Sequence, residues 1–129
     1  PTGATYTKIN QFTTAGQTNT SWVTASAAND NLVVLKPGRY KVEATASTKS
    51  GAANVLLKTA IFVGGVKAPN IQAERKITTA NDTSLISIGG IINITSANTE
   101  VDVRVAHDNV GSVNITCVHC NLNLVYLSE

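Results

Sequence analysis

The stretch LVVLKPGRYKVEATAS, residues 32–47, predicts two antiparallel strands joined by a tight turn. Leu32 to Leu35 is an unbroken apolar run, which is typical of a strand covered on both faces. Pro37 and Gly38 favour a turn, because proline presets φ at the first turn position and glycine accepts a positive φ at the next. After the turn, apolar and polar residues alternate strictly, which indicates a half-buried strand. The stretch therefore predicts an all-β protein.

The composition predicts one domain with a core of small aliphatic side chains. The chain has 129 residues, of which 43% are hydrophobic, 14% charged and 5% aromatic. A chain of this length buries roughly two-thirds of the surface that it exposes when unfolded. Valine, isoleucine and threonine are frequent, and their β-branched side chains pack well on pleated surfaces but lose rotamer freedom in helices. We therefore expect residues 1–129 to form a single domain with almost no helix.

The charge pattern argues against two classes of partner. The ten Lys and Arg residues outnumber the eight Asp and Glu residues, which gives a formal net charge of +2, and they are scattered along the chain with only Arg75 and Lys76 adjacent. A nucleic-acid-binding surface needs basic residues clustered in a stripe, so we expect no nucleic acid partner. No segment approaches the roughly 18 consecutive apolar residues of a membrane span, so we expect no membrane partner either.

Turn residues at even spacing divide the chain into eight to ten short strands. Gly64 and Gly65 stand between two apolar runs and predict a type I′ hairpin turn. Gly89 and Gly90 interrupt a long strand, and there we favour a β-bulge over a bend or a close backbone approach. Many short strands with regular turns predict a two-sheet antiparallel jelly-roll sandwich.

The first 24 residues form a weakly apolar segment, either an arm or an edge strand. Its apolar positions are Tyr6, Ile9 and Phe12, and Trp22 and Val23 follow after a polar patch. Residues 1 to about 16 have the fewest apolar side chains and could leave the sandwich at little cost. We therefore predict that residues 1 to about 16 attach the protein to a larger assembly.

The final strand, residues 113–127, changes its apolar phase. Ile115 and Cys117 share one face, whereas Leu122, Leu124 and Tyr126 share the other. Either a β-bulge near Cys117 resets the alternation, or both faces of the strand are covered. Two covered faces in so small an antiparallel protein would indicate a subunit interface.

Several of these patterns together resemble the tumour necrosis factor-like jelly roll, and more particularly the small modules of that fold in tailed-phage virion proteins. The resemblance covers nearly the whole chain. It rests on the Pro37-Gly38-Arg39-Tyr40 turn, the hairpin at 60–66, the valine-rich strand at 101–105 and the apolar terminal strand.

The resemblance implies a non-enzymatic virion protein, a homotrimer that decorates the capsid surface with its last strands near the threefold axis. The implied partner is the major capsid protein or another virion protein. An alternative is a receptor-binding or carbohydrate-binding fibre-tip module that binds a host surface glycan. The residues that we expect at the trimer interface are Val105, His107, Leu122, Leu124 and Tyr126.

The pair Cys117 and Cys120 invites a metal or disulfide interpretation. On a regular strand, residues three apart point to opposite faces with Cα atoms roughly 10 Å apart, beyond disulfide reach. A zinc site at Cys117-Val118-His119-Cys120 needs a second ligand pair, and the rest of the chain offers only His107. We therefore predict two buried structural thiols, which fits synthesis in a reducing host cytoplasm.

Two other groups of residues suggest chemistry only weakly. His107, Asp108 and Ser112 could be assembled into a hydrolase triad, but adjacent side chains on a strand diverge and no nucleophile elbow is present. We therefore predict neither an enzyme nor a cofactor. Asparagine and aspartate pairs in the turns could offer oxygen ligands to calcium, although these residues also favour turns for backbone reasons. They lie at 29–31, 81–82 and 108–109.

Overall fold

The fold is an all-β sandwich. The computed structural model describes residues 5–10, 12, 15–16, 21–108 and 113–129, and this part of the chain contains nine strands and no helix. The strands are β1 (Thr7–Lys8), β2 (Val23–Ser26), β3 (Asn31–Val34), β4 (Gly38–Ser50), β5 (Val55–Val63), β6 (Val66–Ile77), β7 (Thr83–Ile94), β8 (Thr99–His107) and β9 (Ile115–Ser128).

The strands form two antiparallel sheets. The large sheet has the order β2-β3-β8-β5-β6, and β1 continues the line of β3 along the same side of β8. The small sheet has the order β7-β4-β9. The prediction of a two-sheet antiparallel sandwich of the jelly-roll type is confirmed.

The core lies between the two sheets and is mainly aliphatic. Along β4, every second side chain from Tyr40 to Ala46 is buried, as the alternation in residues 39–47 predicted. Valines and isoleucines of β5, β7 and β8 meet these side chains from both sheets. The Tyr40 hydroxyl donates a hydrogen bond to the Lys36 carbonyl oxygen at 2.7 Å, so the polar end of this core side chain has a hydrogen-bond partner.

Of the two predicted turns, the one at Gly64 and Gly65 is present, whereas residues 36–38 do not form a hairpin turn. β3 lies in the large sheet and β4 in the small sheet, so the chain passes from one sheet to the other here and the two strands do not pair. Gly38 has φ +149°, and a Cβ there would lie 2.7 Å from the Ser128 carbonyl oxygen, so glycine also permits the close approach of β9. Gly64 and Gly65 have φ of +59° and +81° and join β5 to β6, as a type I′ turn requires.

The prediction of a bulge at Gly89 and Gly90 is wrong. The ladder between β4 and β7 runs without a register shift through both glycines. A Cβ on Gly90 would lie 2.8 Å from Cγ1 of Ile71, on β6 of the other sheet. Glycine is needed here because the two sheets approach each other closely at this point.

The phase change in β9 is a bulge. The pairing with β4 passes from Ser47 opposite His119 to Thr48 opposite Cys117, which leaves Val118 without a partner residue. The extra residue resets the alternation, so side chains that would have pointed outward point into the sandwich. Of the two explanations offered by the sequence, the bulge is therefore confirmed.

The N-terminal segment is part of the sandwich. Ile9 is 4% exposed in the core, and its N–H donates to the Val103 carbonyl oxygen at 2.9 Å. Phe12 packs against the core and its N–H donates to Asp30 Oδ1 at 3.2 Å. The Tyr6 ring lies 5.3 Å from that of Phe62. The expectation that this segment could leave at little cost is wrong, because it carries a core side chain and pairs with β8; its role in attachment stays a prediction.

Candidate assembly surface

The outer face of the small sheet carries most of the exposed apolar surface. Six large hydrophobic side chains are exposed among the described residues, and five of them lie on this face. The sixth, Val66, lies in the β5–β6 hairpin. We call these five side chains the apolar set; it consists of Leu85, Ile91, Val118, Val125 and Leu127.

The strand register arranges the apolar set in two groups. Ile91 of β7 and Val125 of β9 both lie opposite Lys41 of β4, so one row across the sheet reads apolar, charged, apolar. Leu127 follows Val125 on the same face two residues along β9. Leu85 lies opposite Ser47 near the other end of the face, where Val118 bulges from β9. The two groups therefore occupy opposite ends of the sheet.

Polar residues fill the middle of this face. Glu43, Thr45, Ser87, Asn121 and Asn123 surround a shallow depression of about 440 Å³, whose floor is open because Gly89 has no side chain. Glu43 forms an exposed ion pair with Lys41 at 2.8 Å, and this pairing raises the pKa of Lys41. An exposed pair of this kind adds little stability. The face therefore combines two apolar ends with a wet, polar centre.

The outer face of the large sheet is different, because the chain covers it with its own side chains. Asp102 is 1% exposed there and accepts two hydrogen bonds from Arg104, the shorter at 2.7 Å from Nε. Lys8 of β1 lies 3.6 Å from the same carboxylate. The Arg104 guanidinium lies 4.3 Å from the centroid of the Phe62 ring. A buried carboxylate with two cationic partners holds β1 in place.

The structure does not bring the predicted interface residues together on an outer face. Leu122, Leu124 and Tyr126 point into the sandwich and pack against the core, as does Val105 of the large sheet. His107 is half-buried at the end of β8. The exposed apolar side chains of β9 are instead those of Val118, Val125 and Leu127. Alternation along β7 already placed Leu85 and Ile91 on its polar face, which is the sequence signal that would have found the rest of the apolar set.

A cleft opens between the sheets where β9 faces β2 and β3. Its volume is about 330 Å³. Aromatic rings concentrate here: the Trp22 and Tyr126 ring centroids lie 4.7 Å apart, and those of Tyr40 and Tyr126 lie 5.4 Å apart. The side chains that line the cleft include Phe12, Trp22, Val23, Ala25, Leu32, Tyr40, Cys120, Leu122, Leu124 and Tyr126.

One cation lies at the rim of this cleft. The Lys36 ammonium is 4.1 Å from the Trp22 ring centroid and 4.3 Å from that of Tyr126. Cation–π contacts of this kind hold the ammonium in a fixed place while leaving its charge toward solvent. At the other end of the cleft, Asp30 lies close enough to Cys120 to add to the effect of burial in raising the pKa of that thiol.

The bulge also changes the relation between the two cysteines. Cys117 and Cys120 are both free, both half-buried and both packed against the core, so they share the inner face of β9. The prediction that they point to opposite faces is wrong, because Val118 adds one residue between them. Burial is the main cause that raises the pKa of Cys117 to about 12, so its thiol is protonated at neutral pH. Their structural role stays a prediction.

The described residues provide no arrangement of side chains that supports the catalytic or the calcium interpretation. Asp108 Oδ1 accepts a hydrogen bond from the Leu56 N–H at 2.9 Å, so this carboxylate fastens the end of β8 to β5. Ser112 and Asn109 lie outside the described residues. Asp30 Oδ1 accepts from Phe12, and Asn81 has φ +65°, as in a turn. No three His, Cys, Asp or Glu side chains of the described part of the chain come together as metal ligands.

Comparison with protein-family models and with curated proteins gives no relative. No protein-family model matches this sequence, and no curated protein is significantly similar to it. Within the described ranges, no helix has the length and apolar character to cross a membrane. The surface of the sandwich is therefore the source of information about function.

Proposed function

We propose that this protein is a non-enzymatic structural module that self-associates as a homotrimer on the surface of a tailed-phage virion. The observation that carries the self-association is the apolar set on the outer face of the small sheet. The virion setting and the number of subunits rest on the sequence resemblance described above. The major capsid protein or another virion protein is the proposed partner of the assembled trimer.

The apolar set supports self-association because neighbouring exposed apolar side chains at one end of this face, Ile91, Val125 and Leu127, form the kind of patch that marks interaction sites on soluble proteins. Ile91 is 64% exposed and Val125 is 56% exposed, and both flank Lys41 in one row. Covering one such side chain contributes roughly 1.5 to 3 kcal/mol. A ring of three subunits uses a heterologous contact in which two different patches meet, and the two ends of this face provide two different patches.

The alternative, a glycan-binding fibre-tip module, is supported by no specific contact. Sugar rings stack on open aromatic faces, and the two rings at the cleft rim, Trp22 and Tyr126, both have the Lys36 ammonium above them. Tyr6 packs on Phe62 and has Lys67 5.6 Å from its centroid. The rings of Trp22, Tyr126 and Tyr6 are therefore already in contact with side chains of the same protein.

Light scattering tests the proposed assembly. We expect a mass three times that of the 13.5 kDa chain at micromolar concentration. Val125→Asp places a charge in the row with Ile91 and should lower the mass to that of one chain. The matched control is Thr24→Asp, because Thr24 is exposed on β2, the edge strand of the large sheet far from this face, and it should leave the mass unchanged. A monomeric wild type, or equal effects of the two variants, contradicts the proposal.

Location on a virion needs a separate test. Antibody raised against the purified protein should label the outside of phage particles in electron micrographs, and the Val125→Asp variant should fail to bind particles that lack the protein. Labelling that is confined to the fibre tips would favour the alternative function.

A further inference from the structure

The two sheets of the sandwich differ in width. The large sheet has five strands along its path and the small sheet has three. At one side, β7 lies against β6, and Gly90 allows Ile71 to pack directly on β7. The difference in width therefore falls on the other side, where β2 and β3 have no strand of the small sheet above them. Strands are spaced about 4.8 Å apart, so the uncovered strip is roughly 10 Å wide.

The strand next to this strip, β9, is an open edge. Among the described residues, β4 is the only strand that pairs with it. β9 is 14 residues long and contains no Lys, Arg, Asp, Glu or Pro. Natural proteins protect edge strands with charges, proline, short length or a covering element. β9 has none of the first three, and among the described residues no strand lies beside its free edge, although Phe12 and Gly16 border the cleft there.

The other edges of the two sheets are protected. β2 has only four residues. β6 contains Pro69 and four charged residues. β7 likewise contains no charged residue and no proline, but it lies against β6, and the Arg75 guanidinium donates a hydrogen bond to the Leu85 carbonyl oxygen at 3.4 Å. The missing protection is therefore particular to β9.

We propose that β9 accepts one extended segment of another polypeptide, which pairs with its free edge and fills the cleft of about 330 Å³ with alternate apolar side chains. Cys120, Leu122, Leu124 and Tyr126 line the cleft at every second position, so the segment must also be apolar at every second position. Addition of a strand to an open sheet edge is a general mode of peptide recognition.

Lys36 at the rim of the cleft defines the segment further. Lys36 lies over Tyr126, near the C-terminal end of β9, and favours an acidic residue there. An antiparallel segment brings its own N-terminal end to that position, so we expect the acidic residue at its N-terminal end.

A second copy that pairs antiparallel through its own β9 does not fit this site. That pairing would place both large sheets on the same side of the joined small sheets. Each large sheet already extends beneath the position beside β9, since Val23 and Leu32 line the same cleft as Leu124. The two copies would therefore overlap, whereas a single strand occupies only the uncovered strip.

Peptide binding tests the proposal in the full-length protein. The probe is a nine-residue peptide of alternating valine and threonine with glutamate at its N-terminal end. The control peptide has the same composition with its valines contiguous. Trp22 is the only tryptophan and lines the cleft, so its fluorescence reports binding. We expect the alternating peptide to change this fluorescence, to slow amide exchange in β9, and to bind about tenfold more tightly than the control peptide, which corresponds to about 1.4 kcal/mol.

Variants on β2 check the location. Ala25→Phe places a ring in the cleft and should abolish binding, whereas Thr24→Phe adds the same ring on the exposed face of the same strand and should not. Lys36→Glu should weaken binding of the peptide with N-terminal glutamate. If Ala25→Phe fails to fold, amide exchange of β9 in the wild type, measured with each of the two peptides, still shows whether the alternating peptide pairs with β9.

Three results overturn the proposal: no protection of β9 at millimolar peptide, equal affinity for the alternating and control peptides, or protection of β9 that rises with the concentration of the Val125→Asp variant alone, which should not form the trimer. The last would show that a second copy occupies the edge. None of these results depends on the trimer, whose mass is measured without peptide, so this inference and the proposed function can fail separately.

Discussion

The two long sides of the sandwich are closed to different degrees. On the closed side, β6 and β7 meet, and Ile71 occupies the space above Gly90 where a side chain would otherwise lie. On the open side, β9 faces β2 and β3 across a cleft of about 330 Å³. The two sides contain the same kinds of aliphatic residue, so the difference lies in how the strands are divided between the sheets.

Side-chain chemistry alone therefore does not tell which part of a sandwich is complete. Ile71 and Leu124 both point inward and both pack against the core, but Ile71 is 5% exposed and Leu124 is only partly buried. The number of strands in the opposing sheet decides which of them is covered. A binding site arises on the open side because the fold leaves apolar side chains and a strand edge unused at the same place.

The largest expected effect comes from truncating one residue on each side. Ile71→Ala should lower the free energy of unfolding by about 3 kcal/mol, because a buried aliphatic side chain leaves a cavity behind. Leu124→Ala should cost about 1 kcal/mol, since Leu124 has the cleft on one side and loses fewer contacts. Urea unfolding at one fixed protein concentration measures both values. Equal costs would show that the open side is packed as tightly as the closed side.

A smaller change in the free energy of unfolding tests the contact between Gly90 and Ile71 on the closed side. Gly90→Ala should cost about 1 to 3 kcal/mol, because its Cβ would lie 2.8 Å from Ile71 Cγ1 in a tightly packed core. The φ of Gly90 is not positive, so the backbone itself accepts alanine. In the Ile71→Ala background the cost of Gly90→Ala should fall close to zero, as expected for two residues in contact.

The control for this pair lies on the same strand. Ser87→Ala changes an exposed side chain of β7 on the outer face and should alter the free energy of unfolding by less than about 0.5 kcal/mol. If Gly90→Ala keeps its full cost when Ile71 is alanine, the closed side depends on something other than this contact.

Local patterns predicted the strands and several turns, but not how the strands are grouped. The alternation from Arg39 to Ser47 and the glycines at 64 and 65 specify backbone geometry within a few residues, so they could be interpreted directly. The contact of Gly90 with Ile71 joins two sheets across 19 residues of sequence, and a strand bulge and a close approach both favour glycine. Sequence alone therefore does not separate a bulge from a close approach of the sheets, and the prediction of a bulge was wrong.

The candidate surface was harder to predict for the same reason. The phase change in β9 was visible, but the sequence could not tell whether a bulge or a partner subunit explained it. A bulge at Val118 turns Leu122, Leu124 and Tyr126 inward and leaves Val125 outward, so the predicted interface residues exchanged faces. The cleft exists because the large sheet has five strands along its path and the small sheet has three. No local sequence pattern specifies how many strands each sheet contains.

The smallest expected effect is a pH dependence on the open side. Cys117 lies on the inner face of β9, where burial, with the nearby Cys120, raises its pKa from the ordinary 9.0 to about 12. Above pH 9 the unfolded chain loses this proton while the folded chain keeps it. The free energy of unfolding should therefore fall as the pH rises from 9 toward 12, and the contribution of Cys117 should be fully present below pH 9.

Comparison with Cys117→Ser isolates this contribution, because lysine and tyrosine residues titrate in the same range in both proteins. Urea midpoints measured from pH 8 to pH 10.5 should fall more steeply in the wild type than in the variant. The effect is small because Cys117 is only half-buried and these measurements reach only the lower part of the window. Parallel curves would show that solvent reaches the Cys117 thiol freely, and hence that the open side is more open at Cys117 than the packing of its side chain against the core indicates.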